Sequence, residues 1–417
     1  MTIAPPPETI ADAPSTGLVP WHGAATPEEL ARWSAVAHRV AEDLAADVVE
    51  RDRSGAPPVE PLRLLRDAGL SELLVPVDLG GHGAHWETAF AVTRIIARVD
   101  ASIAQILGYS YLNQACVAFY GTDAAGQSEW YRRSAAGRWI WSDSFNPVSP
   151  DLRFVADGAD YRLSGRKFFA TGAAVADVVI AGAIAEGGDL DGELVVFAVE
   201  TDRAGIRHHD DWDNIGYRAS ASGSIEYTDV LVRESDIIGV DRDLPFSSVV
   251  TPGVQLLFGN VYLGIAEGAL EQAKQLTLAR RNSWFLSGVE RYADDPITHR
   301  LFGELVSRTA AVEALADALD RRYDAAAARG HATTAGDRAE IELAVARLKV
   351  VSTELALDVS SRVFELTGAS STQARIGLDL HWRNARTHTL HDPVDYKRIE
   401  VGAHFLTGAV QPVSLYT

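Results

Sequence analysis

A single cysteine, Cys116, in 417 residues leaves no disulfide within the chain, no cysteine-based zinc site and no iron–sulfur cluster. It sits in the apolar run Leu112-Asn113-Gln114-Ala115-Cys116-Val117-Ala118-Phe119, where a small buried hydrophobe is expected rather than a nucleophile. Basic residues are also scarce: 38 Lys plus Arg face 57 Asp plus Glu, for a net charge of −19. Such a surface repels nucleic acid and anionic membranes and keeps a protein dissolved. No stretch approaches the roughly 18 uninterrupted apolar residues of a membrane span. Residues 1–20 hold no Lys or Arg and are rich in Pro and Ala. They lack the basic start and apolar run of a secretion signal, and read as a flexible tail on a cytoplasmic protein. Several catalytic signatures are missing too: no Walker loop, dinucleotide fingerprint, Gly-x-Ser-x-Gly elbow or His-Glu-x-x-His is present. Gly80-Gly81-His82-Gly83 follows no strand–helix pattern that would make it a phosphate cradle.

What is present is an ordinary globular composition, 47% hydrophobic and 23% charged, long enough for two or three domains. Thr26-Pro27-Glu28-Glu29 reads as a capping box, and Leu30, Trp33, Val36, Ala37, Val40 and Leu44 follow at helical spacing. Further helices are expected near Pro61–Ala68, Trp86–Val99, Ser102–Tyr120 and Asp123–Ala136. From Trp139 to about Gly239 the pattern becomes short β-branched and aromatic runs. Among them are Tyr161-Arg162-Leu163, Val178-Val179-Ile180 and Glu193–Val199, with Asp157-Gly158 as a hairpin turn. Helical periodicity then returns over Gly253–Asn282, Thr298–Ala328 and Asp337–Leu366. The expected layout is a tail (1–20), a helical domain (21–137), a β-domain (138–245) and a helical bundle (246–417).

The richest stretch is His381-Trp382-Arg383-Asn384-Ala385-Arg386-Thr387-His388-Thr389-Leu390-His391-Asp392-Pro393-Val394. His388 and His391 are three apart and would share a helix face. A metal pair is a minor reading, because His381 and Asp392 fall off that face and Pro393 stops the helix. A hydrogen-bonded helix end between subunits is a second. A third is the edge of a site where imidazoles pass protons near neutral pH.

This stretch resembles the C-terminal signature of the dibenzothiophene monooxygenase and sulfur-acquisition oxidoreductase group, within the acyl-CoA dehydrogenase superfamily. Asn260–Ala266, Asp210-Asp211-Trp212, Leu163–Phe169, Leu74-Val75-Pro76 with Gly80-Gly81, and Gly223-Ser224 agree with it. The likeness implies the α+β acyl-CoA dehydrogenase fold: an N-terminal helical domain, a central β-barrel and a C-terminal four-helix bundle. It also implies a homotetramer with flavin between the β-domain and the bundle, partly completed by a neighbouring subunit. By the same resemblance Tyr109 and the Asp143–Val148 loop, with Asp143, Ser144 and Asn146, flank the flavin. Lys167 to Thr171 line its ring edge, Phe169 and Thr171 nearest. Trp212, Phe169 and Gln105 border the substrate, though a tryptophan is often simply core. His391, supported by His388 and with Thr171 opposite, steers the proton of a C4a-hydroperoxide.

The group's chemistry implies reduced FMN delivered by a separate NAD(P)H:flavin reductase, with O2 and a small apolar S- or N-heterocyclic aromatic as co-substrates; FAD is the alternative flavin. Departures from the group are specific. Asp143 replaces Asn, Thr171 replaces Ser, and Gln105 replaces the His of the sulfone-forming enzyme. Asn282 and Ser370 replace arginines that hold the flavin phosphate, so Arg280 or Arg281 and Arg375 are the expected substitutes, and Arg281, Ala369 and Ser370 are expected at the cofactor. A dehydrogenase would need a Glu base. Asp392, shorter and followed by Pro393, and Gly259, at the alternative base position, do not supply one. An FAD-linked dehydrogenase or oxidase and an inactive flavin-free scaffold are the competing readings.

Overall fold

Thr26 opens the first helix as expected. Its hydroxyl accepts the Glu29 amide at 3.1 Å, and Pro27 fills the first helical position, where a missing N–H costs nothing. The reciprocal bond of a capping box is not made. Glu29 turns its carboxylate to the amide and ring of His85 and to Thr88, tying α1 (Pro27–Ala45) to a later helix.

The computed structural model describes residues 17–146, 152–414 and 416. Packing already begins at Leu18, whose amide donates to Gln127, inside the stretch expected to be a free tail. Residues 1–16 of that tail lie outside the described residues. The N-terminal domain continues with α2 (Val48–Ser54), α3 (Val59–Asp67), α4 (Trp86–Ala97), α5 (Ala101–Tyr120) and α6 (Ala124–Gly137). Every residue of α5 is buried, including Gln105, Ser110, Asn113 and Gln114. A helix apolar on all sides is a core helix, and its buried polar side chains need partners or a cavity to face.

The strands are β1 (Trp141–Asp143), β2 (Arg153–Asp157), β3 (Asp160–Lys167), β4 (Val178–Glu186), β5 (Leu194–Glu200), β6 (Ile206–His208), β7 (Ile225–Val232) and β8 (Ile237–Asp241). They form one mixed sheet in the order β6-β7-β3-β2-β4-β5-β8, with β1 parallel to β4. The Asp157-Gly158 hairpin joins β2 to β3, Asp157 pairing with Asp160 and Gly158 at φ +69°. Among the described residues the expected barrel does not close, because β6 and β8 remain the two ends of the ladder. The sheet wraps its own core, in which Phe154 stacks on Tyr161 at 4.3 Å and on Phe197 at 4.7 Å.

The bundle comprises α7 (Val250–Ala279), α8 (Pro296–Arg329), α9 (Ala335–Thr367), α10 (Asp379–His388) and α11 (Val394–Thr407). Ser247–Ala279 is long and apolar enough to cross a membrane, yet it is buried inside the molecule. Glycines let its neighbours approach closely. A Cβ at Gly264 would stand 2.5 Å from the Arg94 carbonyl of α4, and one at Gly259 would stand 2.6 Å from Leu348 of α9. The start of α7, the middle of α5, the loops of the sheet and the end of α10 consequently face one another.

Candidate active site

Where these parts meet they enclose a cavity of about 630 Å³, a size suited to an organic ligand. Of the residues expected there, Gln105, Tyr109, Asp143, Asn146, Phe169, Thr171, Trp212, His388 and His391 all line it.

The two imidazoles do not share a helix face. α10 ends at His388, and His391 stands in the following turn, its amide donating to the His388 carbonyl at 2.9 Å. The rings nonetheless lie near-parallel, 5.6 Å apart, with the Phe258 ring 4.6 Å from one and 4.9 Å from the other. His388 is buried. The Tyr262 hydroxyl donates to the His388 carbonyl at 3.1 Å and lies 2.9 Å from Nδ1. A phenol has one proton and a carbonyl only accepts, so satisfying both contacts places a proton on Nδ1. That leaves the buried Nε2, which has no partner among the described residues, as a hydrogen-bond acceptor. Burial, then the neighbouring His391 and Lys349, pulls the His388 pKa well below the ordinary imidazole value, so the ring is neutral.

His391 is oriented from both sides. Its Nε2 is 3.4 Å from the Tyr109 hydroxyl and its Nδ1 is 3.2 Å from Asp392 Oδ1. That oxygen also accepts from Lys349 Nζ at 2.9 Å. Lys349 is completely enclosed, its ammonium 4.4 Å from the centre of the Phe258 ring. Burial alone would raise Asp392, but the His391 bond and the Lys349 charge outweigh it and hold the carboxyl well below its usual range. The sequence placed Asp392 off the working face. In the fold it is the partner of His391; of two further participants, Tyr262 falls in the Asn260–Ala266 segment that carries the resemblance without being singled out there, and Lys349 carries no local signal in the sequence.

The opposite wall is polar and aromatic. Thr171 Oγ1 accepts from Ser222 at 3.1 Å and from Gln105 at 3.5 Å. Phe169 has φ +64°, a conformation a bulky residue adopts only under constraint and one that clusters at functional sites. Its ring is edge-on to Trp212 at 6.2 Å. Trp212 is anchored by its Nε1–H to the Tyr217 carbonyl at 2.7 Å, and the buried Tyr217 hydroxyl lacks a partner among the described residues. Asp143 accepts from Asn113 at 3.2 Å. Burial raises its pKa despite that bond, the Phe145 amide and His391, so the carboxyl is drawn toward the protonated form that, like the amide of Asn, can donate.

The remaining expected residues do not line this cavity. The Ser144 hydroxyl bonds Tyr227 at 2.8 Å, and Lys167 Nζ donates to the Asn146 carbonyl at 3.2 Å; they brace the wall from behind. Pro147 and Val148 of the Asp143–Val148 loop lie outside the described residues. Arg281, Ala369 and Ser370 sit beyond the far ends of α7 and α9. From Val254, at the cavity, to Arg281 is 27 residues, roughly 40 Å along a helix. Arg280 lies over the Tyr292 ring at 4.0 Å and against Gly368, and Arg375 bonds Gln373. Arg383, part of the stretch for which a hydrogen-bonded helix end between subunits is one reading, pairs within the chain with Asp52 at 2.7 Å and Asp379 at 2.8 Å. Among the described residues no three His, Cys, Asp or Glu side chains gather as a metal site.

Residues 26–138, 144–230 and 256–396 match in turn the N-terminal, middle and C-terminal domains of acyl-CoA dehydrogenase. The chain is 39% identical over 387 residues to a probable FMNH2-dependent monooxygenase of Pseudomonas putida, covering 92% of this chain and 97% of that one. Its fold is similar to that of methanesulfinate monooxygenase from Pseudomonas fluorescens, with a TM-score of 0.88, 35% identity and 92% and 99% of the two chains covered. It is also similar to the dibenzothiophene monooxygenase of Paenibacillus sp. A11-2 in complex with FMN and indole, with a TM-score of 0.88, 32% identity and 93% and 100% covered.

Proposed function

The chain belongs to the acyl-CoA dehydrogenase family, and from that premise we propose that it is the oxygenating component of a two-component, reduced-FMN-dependent monooxygenase. The observation that carries this reading is the state of Asp392. It is the acidic side chain nearest the family's usual base position, and it is held by Lys349 and His391, so it cannot serve as the free carboxylate that removes an α-proton. The alternative position, Gly259, is packed so tightly that an added Cβ would meet Leu348.

The cavity fits a flat, polar-edged ring. Its aromatic side, with Phe169 and Trp212, offers stacking surface, while the His388 Nε2 and the Tyr217 hydroxyl, without partners among the described residues, are buried behind the wall. Reduced FMN would supply the electrons that activate O2; the protein supplies orientation, dryness and proton control. Tyr109, Asp143, Asn146, Phe169 and Thr171 would hold the ring, with Ser144 and Lys167 bracing the loop beneath. His391 would accept and pass on a proton at its Nε2, His388 backs that ring, and Thr171, already bonded by Ser222 and Gln105, presents its remaining hydrogen-bonding capacity opposite them. Trp212 and Phe145 shield part of the cavity, and Phe169, exposed in the single chain, would be covered by the bound ring, which excludes water and strengthens each of these interactions.

Gln105, Phe169 and Trp212 would border the substrate, a small apolar aromatic of the S- or N-heterocyclic class, in keeping with the indole-bound dibenzothiophene monooxygenase and unlike the methanesulfinate of the other named relative. Arg281, Ala369 and Ser370 lie too far from the cavity to reach the same flavin from within one chain. They would act on the flavin phosphate of a neighbouring copy, in keeping with the homotetramer that the resemblance implies. A separate flavin reductase supplies the reduced cofactor, and the acidic, single-cysteine chain suits the cytoplasm.

The test is to bind reduced FMN anaerobically, admit oxygen and follow flavin reoxidation together with hydrogen peroxide release. Reoxidation about tenfold or more slower than for free reduced FMN, with peroxide suppressed by an aromatic heterocycle, is expected. Reoxidation at the free-flavin rate, or a tightly held FAD that bleaches with an acyl-CoA thioester, refutes the assignment.

A further inference from the structure

The Lys349–Asp392–His391 chain has a charge balance that a two-membered carboxylate–imidazole pair lacks. We propose that Lys349 is a positioning residue: its buried ammonium neutralises Asp392, so that the carboxylate fixes the ring of His391 through Nδ1–H without drawing a second proton onto Nε2.

The geometry places both groups on one oxygen. Asp392 Oδ1 is 2.9 Å from Lys349 Nζ and 3.2 Å from His391 Nδ1. Lys349 is 0% exposed and Asp392 5% exposed, so little water screens that pair, while the His391 side chain, 37% exposed, opens onto the cavity. With Lys349 and Asp392 both ionised, the trio is neutral when His391 is neutral, and protonating the imidazole would leave a net positive charge beside the buried ammonium. Without the ammonium, the buried carboxylate would find its counter-ion in His391 itself. The other groups facing this imidazole do not replace that control. Tyr109 of α5, Asp143 at the end of β1, His388 and Arg386 of α10, and Tyr416 line the same cavity. The His388 and Tyr109 rings are uncharged near neutral pH, and burial favours the neutral form of Asp143. Burial draws Lys349 downward while Asp392 opposes it. The Phe258 and Tyr262 rings, 4.4 and 5.3 Å from Nζ, supply the cation with π-faces in place of water.

The proposal concerns the protein's own protonation and is read without flavin, so its failure leaves the monooxygenase reading standing. The full-length, flavin-free chain is treated with diethylpyrocarbonate, which acylates only neutral imidazole. The rate at His391 is measured against pH by fragment-ion mass spectrometry, which separates it from His388. Lys349→Met should raise the pH midpoint at His391 by about one unit or more, because the imidazole becomes the counter-ion; Asp392→Asn should lower it by a similar amount; Lys349→Arg, which keeps the charge, should leave it unchanged. A merely structural Lys349 would disturb the site without reversing the direction between the first two variants. Shifts of the same sign in Lys349→Met and Asp392→Asn, or no shift in either, overturn the proposal. Should Lys349→Met not fold, Asp392→Asn against Lys349→Arg still decides it: a lowered midpoint in the first with none in the second supports it, and any other pair of results refutes it.

Discussion

His391 is exposed in the cavity, with 37% of its side chain accessible, and His388 is buried behind it, so truncating each should be felt in a different quantity. His391→Ala removes a side chain that touches Tyr109 and Asp392 but supports little packing. It should raise the hydrogen peroxide released per flavin oxidised while changing unfolding stability by less than about 1 kcal/mol. His388→Ala leaves a void beside Phe258 and strips Tyr262 of a 2.9 Å partner; it should cost roughly 2–4 kcal/mol in denaturant unfolding. Equal losses of stability in the two variants would contradict this division. The sequence made the pair itself legible, through spacing and resemblance, and it marked Thr171, Phe169 and Trp212 as neighbours. It could not show that Asp392 turns back toward His391, because Pro393 and the end of α10 set that direction. Nor could it supply Lys349, which stands 43 positions upstream on another helix and meets the site only through the packing of α9 against α7.

Among the helices, the glycines of α7 divide by what surrounds them. A Cβ at Gly268 would overlap the Arg98 carbonyl, and one at Gly264 would meet Arg94 and Ala97, so Gly268→Ala should force α4 away and cost about 1–3 kcal/mol. Gly303 in α8 has nothing within 4 Å of such an atom. Gly303→Ala should raise the thermal midpoint, stabilising by up to about 1 kcal/mol through helix propensity alone. A calorimetric comparison that finds the same sign for both would be incompatible with this packing. Long elements were readable from periodicity: α4, α5, α7, α8 and α9 begin and end within a few residues of expectation. α2 was not, because seven residues are too few to show a helical period. α11 was hidden behind Pro393, which ends one helix and immediately admits another, Val394–Thr407. The sheet's short strands were visible one by one, whereas its failure to close depends on pairings far apart in sequence.

Across the molecule, two buried groups set opposing limits on stability. Burial raises Asp320 to about 8 in spite of Arg94 and Asn260, so its contribution is complete below the unfolded carboxylate value near 4 and is lost as pH rises through about 8. His388, lowered by burial, does the reverse: its contribution is present above the unfolded imidazole value near 6.5 and fades in acid. Of these two, only Asp320 still changes between about 6.5 and 8, so the thermal midpoint should decline across that window, and Asp320→Asn should flatten the decline. An unaltered slope in that variant would show that other groups govern it. The α–β–α order of the whole chain was readable from composition and periodicity, while the distance separating Arg281 from the cavity required the actual length of α7. That cavity draws on Gln105 in α5 and on His391 after α10, nearly three hundred positions apart. A chain still emerging from the ribosome therefore lacks one wall of the cavity until α10 has been made. On the monooxygenase reading, reactive oxygen chemistry is thereby withheld from every partly made copy and becomes available only to the finished one.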